Sequence, residues 1–315
     1  VLKTLPAESI DCIVTSPPYW QLQDYGVSGQ LGLEPTIDQY IEALCGVFDE
    51  GKRVLKPRGT CWVNLGDRYA SNGLRNKGFN ARWHVKRFSS DKQGAADKFR
   101  PSRANGGLPE KSLVLIPFRF AIEMVRRGWI LRNTLIWHKP NCLPASVKDR
   151  FTIDFEYLFF FAKAKRYFFQ RQFEPHHAST KRRVRSFRKN KEHFDPIHHK
   201  HAPDDVREAP FAILERICRR GLDPRGRNKR SVWTIAVRGF RGDHFATFPE
   251  ELVETPIKAG CPVAGVVCDP FFGTGTTGLV ARKLGRHFIG IELSPRYIKI
   301  AQQRIASLAR GEKYD

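Results

Sequence analysis

The sequence is short of acid. Its 315 residues include 32 Asp and Glu against 54 Lys and Arg, a formal net charge of +22. That imbalance favours a polyanionic partner, nucleic acid first, over a basic face that meets only solvent. Cysteine chemistry is lacking too. The seven cysteines (12, 45, 61, 142, 218, 261 and 268) form no CxxC pair and no ligand cluster with histidine, which reads as reduced thiols in a cytosolic protein. No apolar run reaches the length needed to span a bilayer; the longest, Tyr157 to Ala162, is strand-sized. No stretch joins a basic face to a long apolar one, so a membrane surface is a poorer partner than nucleic acid. Signal peptide, internal repeat and low-complexity tract are all missing. The chain opens at Val1 inside a pattern, Val1-Leu2-Lys3-Thr4-Leu5-Pro6, and further residues are expected upstream.

What is present is enough for a sizeable core: 41% of residues are hydrophobic and 12% aromatic, which excludes global disorder. Three kinds of territory follow one another. Residues 1 to about 67 alternate strand and helix. Ile10 to Val14 reads as a buried strand. Thr36 and Gln39 form a capping box, and Ile37, Tyr40, Ile41, Leu44, Val47 and Phe48 follow at helical spacing. Lys56-Pro57-Arg58-Gly59 should stop that helix, with a strand from Thr60 to Leu65. Residues 68 to 111 read as a long basic surface loop. A helix over 113–127 and strands over 130–137 and 156–162 resume the α/β theme. Residues 171 to 230 break it, and from 231 it returns. A short helix opens at Phe248-Pro249-Glu250-Glu251-Leu252, and a strand at 265–268 leads into helix 279–284. A further strand covers 287–291, then a last helix with Ser294 as cap and Pro295 in its first position. The expected division is residues 1–170 as one half of an α/β domain, 171–230 as an insertion, and 231–315 as the other half. The insertion's stretch 181–230 holds 16 Lys and Arg against 7 Asp and Glu, and 71–111 holds 10 against 3. The positive excess is concentrated, as a nucleic-acid footprint would be.

Two motifs carry chemistry. The first is Val14-Thr15-Ser16-Pro17-Pro18-Tyr19-Trp20. Proline cannot continue a strand interior, so the strand ends at Ser16 in a stiff loop tipped with aromatics. Such loops at strand ends are common sites of binding chemistry. The second is Asp269-Pro270-Phe271-Phe272-Gly273-Thr274-Gly275-Thr276-Thr277-Gly278, between a strand and a helix, with Glu292 at the end of the next strand. Its GxGxxG spacing fits a cofactor loop, the glycines allowing close backbone approach and the acid gripping ribose hydroxyls. A purely structural turn and a nicotinamide or flavin site are the rivals. Asp269 and Phe271 suit a cationic, phosphate-free adenosine cofactor better than a pyrophosphate.

Ser16-Pro17-Pro18-Tyr19 together with Asp269-Pro270-Phe271-x-Gly273-x-Gly275 resembles the DNA amino-methyltransferases, which methylate cytosine N4 or adenine N6. The order of catalytic loop, basic region and cofactor loop looks like the family's circularly permuted β class, and the resemblance covers nearly the whole chain. It implies a doubly wound, mostly parallel α/β sheet with an inserted basic target-recognition region, S-adenosyl-L-methionine as cofactor, and duplex DNA as substrate. Ser16 and the Pro17 carbonyl would hold the amino hydrogens, with Pro18 stiffening the loop and Tyr19 stacking on a flipped base. Asp269 would lie near the methionine amine, Phe271 against the cofactor, Gly273 and Gly275 at close approach, Thr276 on the carboxylate and Glu292 on the ribose. An acid-bearing motif that usually lies just upstream of Val1-Leu2-Lys3, contacting adenine, falls outside this sequence.

The resemblance further implies a cytoplasmic protein of bacterial or phage origin, within a restriction-modification system and with a cognate restriction endonuclease as possible partner. Arg182, Arg183, Arg185, Arg188 and Lys189 are the expected DNA contacts, mostly to phosphate. Trp62, Asn64 and Asp67 end a strand and are candidates to line the site, against plain packing and capping. His138 and Lys139 are candidates for DNA contact. The histidines at 176, 177, 198, 199 and 201 lack ligand spacing, so no metal is expected. No Pro-Cys nucleophile occurs, which argues against methylation of cytosine C5. Serine in place of aspartate at position 16 leans toward cytosine N4; adenine N6 and a catalytically inactive DNA-binding relative are the alternatives.

Overall fold

The computed structural model describes residues 1–70, 108–189, 220–237 and 248–310. In chain order its elements are β1 (Ile10–Thr15), α1 (Ile37–Val54), β2 (Leu55–Leu65), α2 (Ile116–Arg126), β3 (Ile130–His138), β4 (Phe155–Ala162), β5 (Phe173–Glu174), α3 (Ala178–Lys189), β6 (Arg227–Asn228), β7 (Val232–Thr234), α4 (Glu250–Gly260), β8 (Val266–Asp269), α5 (Thr276–Lys283), β9 (His287–Gly290) and α6 (Pro295–Ala309). They fall into two compact units, one of residues 1–170 with 231–315 and one of residues 171–230.

The larger unit is built on a seven-stranded sheet in the order β7-β3-β4-β2-β1-β8-β9. Every pairing is parallel except those of β4, which runs against both β2 and β3. It is therefore a mostly parallel, doubly wound sheet. Strand residues alternate between two faces. Ile13, Cys61, Val63, Phe159 and Phe161 join Tyr40, Leu44 and Phe48 of α1 and Phe120 of α2 in one core layer. Cys12, Val14, Trp62, Phe160 and Val267 join Leu252 and Ile257 of α4 and Val280 of α5 in the other. Burial of each large side chain contributes roughly 1.5–3 kcal/mol, and the two layers cover the two faces of the sheet.

Several boundaries differ from the sequence reading for physical reasons. The capping box at Thr36 and Gln39 is formed in both directions. The Lys56-Pro57-Arg58-Gly59 stretch does not separate helix from strand: β2 starts at Leu55, and the four residues bulge out between the pairs Ile10–Leu55 and Cys12–Thr60. Helix α2 starts at Ile116 rather than 113, because Leu115 takes a left-handed conformation (φ 63°) before it. Helix α5 starts at Thr276, three residues before the expected 279, since the glycine turn itself delivers the first helical residue. Ser294 stands at the N-cap of α6 with Pro295 at the first turn, but its side chain makes no capping bond. Of the loop 68–111, residues 71–107 lie outside the described residues. Its base is an antiparallel bridge between Tyr69 and Leu113.

The connections β1 to β2 and β8 to β9 leave in opposite directions, so the β1–β8 boundary is a topological switch point. Ligands of open α/β sheets bind outside the carboxyl ends of the strands at such a point. Ser16, Asp269 and the residues after β2 and β9 all lie along that edge. Because β4 is reversed, it brings its first residues to the same edge: Phe155 pairs with His138, and Tyr157 pairs with both Leu65 and Ile136. The smaller unit contains the short β5–β6 ribbon and α3. Glu174 of the ribbon is paired with Arg227 and Arg230.

Candidate active site

Asp269 stands at the switch point. Thr15, the last residue of β1, donates its hydroxyl to Asp269 Oδ1 at 2.5 Å, and Thr277 of α5 donates to Oδ2 at 2.6 Å. The Phe271 N–H adds a third bond at 3.0 Å. The residue is 1% exposed. Burial pushes its pKa up to about 6, against the opposing pull of the Thr15, Thr277 and Phe271 donors. In this arrangement Asp269 is a clamp that joins the starts of both motif loops.

The Ser16-Pro17-Pro18-Tyr19 loop is held from beneath. Ser16 Oγ donates to Asn64 Oδ1 at 3.2 Å, and Asn64 Nδ2 donates to the Tyr157 carbonyl at 3.1 Å. Asn64 is fixed as the acceptor, so the lone pairs of Ser16 are left for another donor. The Pro18 carbonyl accepts from Tyr40 Oη of α1 at 2.7 Å. No described residue donates to the Pro17 carbonyl. Tyr19 Oη donates to Glu156 Oε2 at 2.7 Å, and Glu156 is in turn ion-paired with Lys139. Burial and the nearby Glu156 carboxylate raise the Tyr19 pKa well above its ordinary value, keeping the phenol a neutral donor. The Tyr19 ring lies so close to Gly66 that an added Cβ would come within 2.7 Å of it. Glycine is required there because the ring occupies the space of a side chain.

The second loop is pinned by Glu292. Its Oε2 accepts from Gly273 N–H at 2.7 Å and its Oε1 from Ser294 N–H at 2.8 Å, which ties the turn after β8 to the end of β9. Gly275 has φ +82°, and a Cβ there would meet Ala301 at 2.8 Å. It is the N-cap of α5 and supplies no side-chain cap to the first-turn N–H groups. Thr276 is 6% exposed, and its hydroxyl accepts from Arg304 at 3.1 Å. Phe271 is half-buried against the first core layer. Its neighbour Phe272 instead stacks on Phe288, with ring centroids 5.6 Å apart. A cleft of about 500 Å³ opens beside this loop, lined among others by Phe272, Phe288, Ile291, Glu292, Ile298 and Ile305. Glu292 stands at the border between cleft and loop.

The remaining candidates separate cleanly. Trp62 is 3% exposed and stacks on Phe160 at 4.0 Å; it is core. Asp67 accepts from the N–H groups of Leu115 and Ile116 and caps α2. His138 bonds Thr234 of β7 through Nδ1 at 3.1 Å. Asn64 reaches the Ser16–Tyr19 loop directly, and Lys139 is linked to it through Glu156. Arg182, Arg183 and Arg185 are exposed on α3 around a buried Val184. The helix backbone continues through Arg188 and Lys189, whose side chains lie outside the described ones. No group of His, Cys, Asp or Glu among the described residues has a metal-binding arrangement, and none of their helices is long and apolar enough to cross a membrane. Sequence reasoning missed Glu156 and Tyr40. The one signal for Glu156 was an acid opening an otherwise apolar strand.

The clamp gives a pH test. An acid whose folded pKa lies above its unfolded value, 3.8 moving to about 6 here, binds its proton more tightly when folded. Its contribution to stability is full below the unfolded pKa and lost as pH rises through the folded one. Between pH 4 and 6 the wild-type chain is therefore expected to lose about 2 kcal/mol relative to Asp269→Asn. Urea unfolding of both chains across that range measures the difference; parallel curves would refute it.

The chain is similar to known proteins over nearly its whole length. The family model described as DNA methylase matches residues 10–303. The chain is 37% identical over 312 residues to the type II methyltransferase M.Cfr9I of Citrobacter freundii, covering 97% of this chain and 84% of that protein. It is 37% identical over 303 residues to M.SmaI of Serratia marcescens, covering 96% and 86%. Among solved structures, the PvuII DNA methyltransferase (cytosine-N4-specific) matches with a TM-score of 0.56 at 20% identity, covering 96% of this chain and 82% of that one. A putative DNA modification methylase from Thermus thermophilus, complexed with S-adenosyl-L-methionine, matches with a TM-score of 0.53 at 22% identity, covering 97% and 88%. These two establish the shared fold. With the family model spanning most of the sequence and relatives at this identity over nearly all of it, the chain belongs to the DNA methylase family of amino-methyltransferases.

Proposed function

We propose that this DNA methylase transfers a methyl group from S-adenosyl-L-methionine to N4 of a cytosine flipped out of duplex DNA, at a specific site. The observation that carries the reading is the meeting of the two loops across the switch point, with Ser16 oriented by Asn64 as an acceptor. An exocyclic amine is a poor nucleophile because its lone pair is delocalised into the ring. Acceptors on its hydrogens draw it toward tetrahedral geometry. Ser16 Oγ and the Pro17 carbonyl provide two, and both are neutral. A neutral serine in place of a carboxylate is what favours cytosine N4 over adenine N6. Tyr19, held by Glu156, is the stacking partner for the base; stacking contributes roughly 1–3 kcal/mol and offsets part of the cost of unstacking.

The second loop fits the cofactor. The uncapped N-terminus of α5 suits a carboxylate, Phe271 offers an apolar ring, and Glu292 keeps lone pairs beyond the two that bind backbone. When bound, the cofactor supplies an electrophilic methyl on a sulfonium. Asp269 serves as a positioning residue, since both its oxygens are taken up by the protein. The chain's remaining contribution is to hold the two reactants in register in a site shielded from water.

The basic unit of residues 171–230 is the proposed target-recognition region, with Arg182, Arg183, Arg185, Arg188 and Lys189 on phosphate. A protein of this kind works in the bacterial cytoplasm, where a cognate endonuclease cutting the same site is its natural counterpart.

Labelled methyl transfer to unmodified duplex DNA, followed by nucleoside mass spectrometry, tests the reading. N4-methylcytosine is expected. N6-methyladenine would move the assignment to adenine, and no label would overturn it. In the same assay Ser16→Ala should lose most turnover, about a hundredfold, while cofactor and DNA still bind; unchanged turnover would remove Ser16 from its role. Glu156→Ala leaves Lys139 unpaired and frees Tyr19. Turnover should fall about ten- to a hundredfold with cofactor affinity unchanged by calorimetry, and Glu156→Gln should restore part of it. Reversing Arg182, Arg183 and Arg185 to Glu should weaken DNA binding. The slope of log affinity against log salt should also flatten, by roughly 0.9 per lost phosphate contact. An unaltered slope would leave these arginines as a solvated face.

A further inference from the structure

The loop between β3 and β4, residues 139–154, combines features that neither the catalytic nor the cofactor loop explains. Phe151 is 95% exposed and Leu143 82% exposed, and Val147 is also exposed. Apolar side chains at such exposure would ordinarily sit on a slack segment, but this loop is braced. Lys139 N–H donates to the Asp154 carbonyl at 2.7 Å and closes the base. Asn141 exchanges two hydrogen bonds of 2.8 Å with the backbone of Val237. Asp149 pairs with Lys111 at 2.6 Å, and the Arg150 guanidinium lies 3.9 Å from the centre of the Tyr69 ring. The structure holds the loop in place and leaves its apolar tips outside.

Position and charge indicate the occupant. Lys139 and Glu156, at the two feet of the loop, are the pair that holds Tyr19. The loop therefore rises from the residues that would cradle the flipped base. Lys148 and Arg150 alternate with Val147 and Phe151 along the loop, and Asp149, the one acid among residues 140–153, is paired with Lys111. Apolar side chains among cations, beside a base-flipping site, match duplex DNA. Proteins that unstack a duplex commonly insert Phe, Leu, Ile or Met between base steps.

We propose that the β3–β4 loop is the DNA wedge of this enzyme, with Phe151 entering the gap that the extruded base leaves in the stack. The inference rests on the methyltransferase reading above. A wedge is needed to open a paired site and is dispensable where the target is already unpaired.

The test compares wild type with Phe151→Ala and Phe151→Leu. Each is assayed on a duplex carrying the site located by mapping the wild-type product, and on the same duplex with a mismatch opposite the target base. Phe151→Ala should slow methylation of the paired duplex by about tenfold or more, and the mismatch should restore it to within about threefold of wild type. Phe151→Leu should stay near wild type on both. A side chain so exposed should leave the thermal midpoint unchanged. Equal loss of rate on paired and mismatched duplexes would overturn the wedge and assign the loop to shaping the site. An unaffected Phe151→Ala, with wild type methylating normally, would also overturn it while leaving the function intact. Wild type that labels no duplex at all would overturn the function and the wedge together.

Discussion

The architecture turns on one buried carboxylate. Asp269 is reached by Thr15 across 254 residues of sequence and by Thr277 across 8. Burying an acid this thoroughly is costly unless its oxygens are satisfied, and each of its three donors comes from a different place: the end of β1, the turn after β8 and the first turn of α5. Those three places are where the catalytic loop begins, where the cofactor loop begins and where that loop becomes a helix. Satisfying the carboxylate therefore sets the spacing of the two motif loops. The central pairing of β1 with β8 creates the crevice, and the Asp269 clamp fixes its floor.

The second constraint comes from the single reversed strand. In an all-parallel sheet, side chains at the site edge come from the ends of strands and the loops after them. Here β4 enters the edge with its first residues, and Glu156 rises between β3 and β2. From there it takes the hydroxyl of Tyr19 and pairs with Lys139 at the end of β3. Asn64, near the end of β2, completes the row by holding Ser16. The catalytic loop thus rests on a polar platform drawn from three neighbouring strands, with Tyr40 of α1 bracing it from the helix layer. Rigid elements supply the support, and the two prolines limit how far the loop itself can move.

The fold class and the two loops were legible because their signals are local. Proline ends a strand, glycine spacing marks a turn, and apolar alternation marks the strands between. What was not legible depends on pairing at a distance. Nothing near Glu156 in sequence shows that β4 runs antiparallel, so nothing shows that its acid faces Tyr19. Trp62 and Asn64 are two residues apart on one strand and both read as candidates to line the site. The register sends Trp62 onto Phe160 in the core and leaves Asn64 near the strand's end, where it meets Ser16. Asp67 was equally ambiguous until the N-terminus of α2, 48 and 49 residues later, was found on its oxygens. The start of β2 at Leu55 was hidden by a bulge that carries a proline, a lysine and an arginine, residues that argue for a break when read alone.

Charge is sorted along the sequence. The positive excess of the sequence is concentrated in residues 71–111 and 181–230, whereas the acids at the sheet edge are each engaged. Asp269 holds threonines, Glu156 holds Lys139 and Glu292 holds two backbone N–H groups. In the proposed reaction the groups that meet the amine are a serine hydroxyl and a proline carbonyl, both neutral. Ser16 adds no further acid beside the Thr15–Asp269 contact. The weaker acceptor is compensated by its preset orientation, because Asn64 takes its proton and leaves its lone pairs to accept.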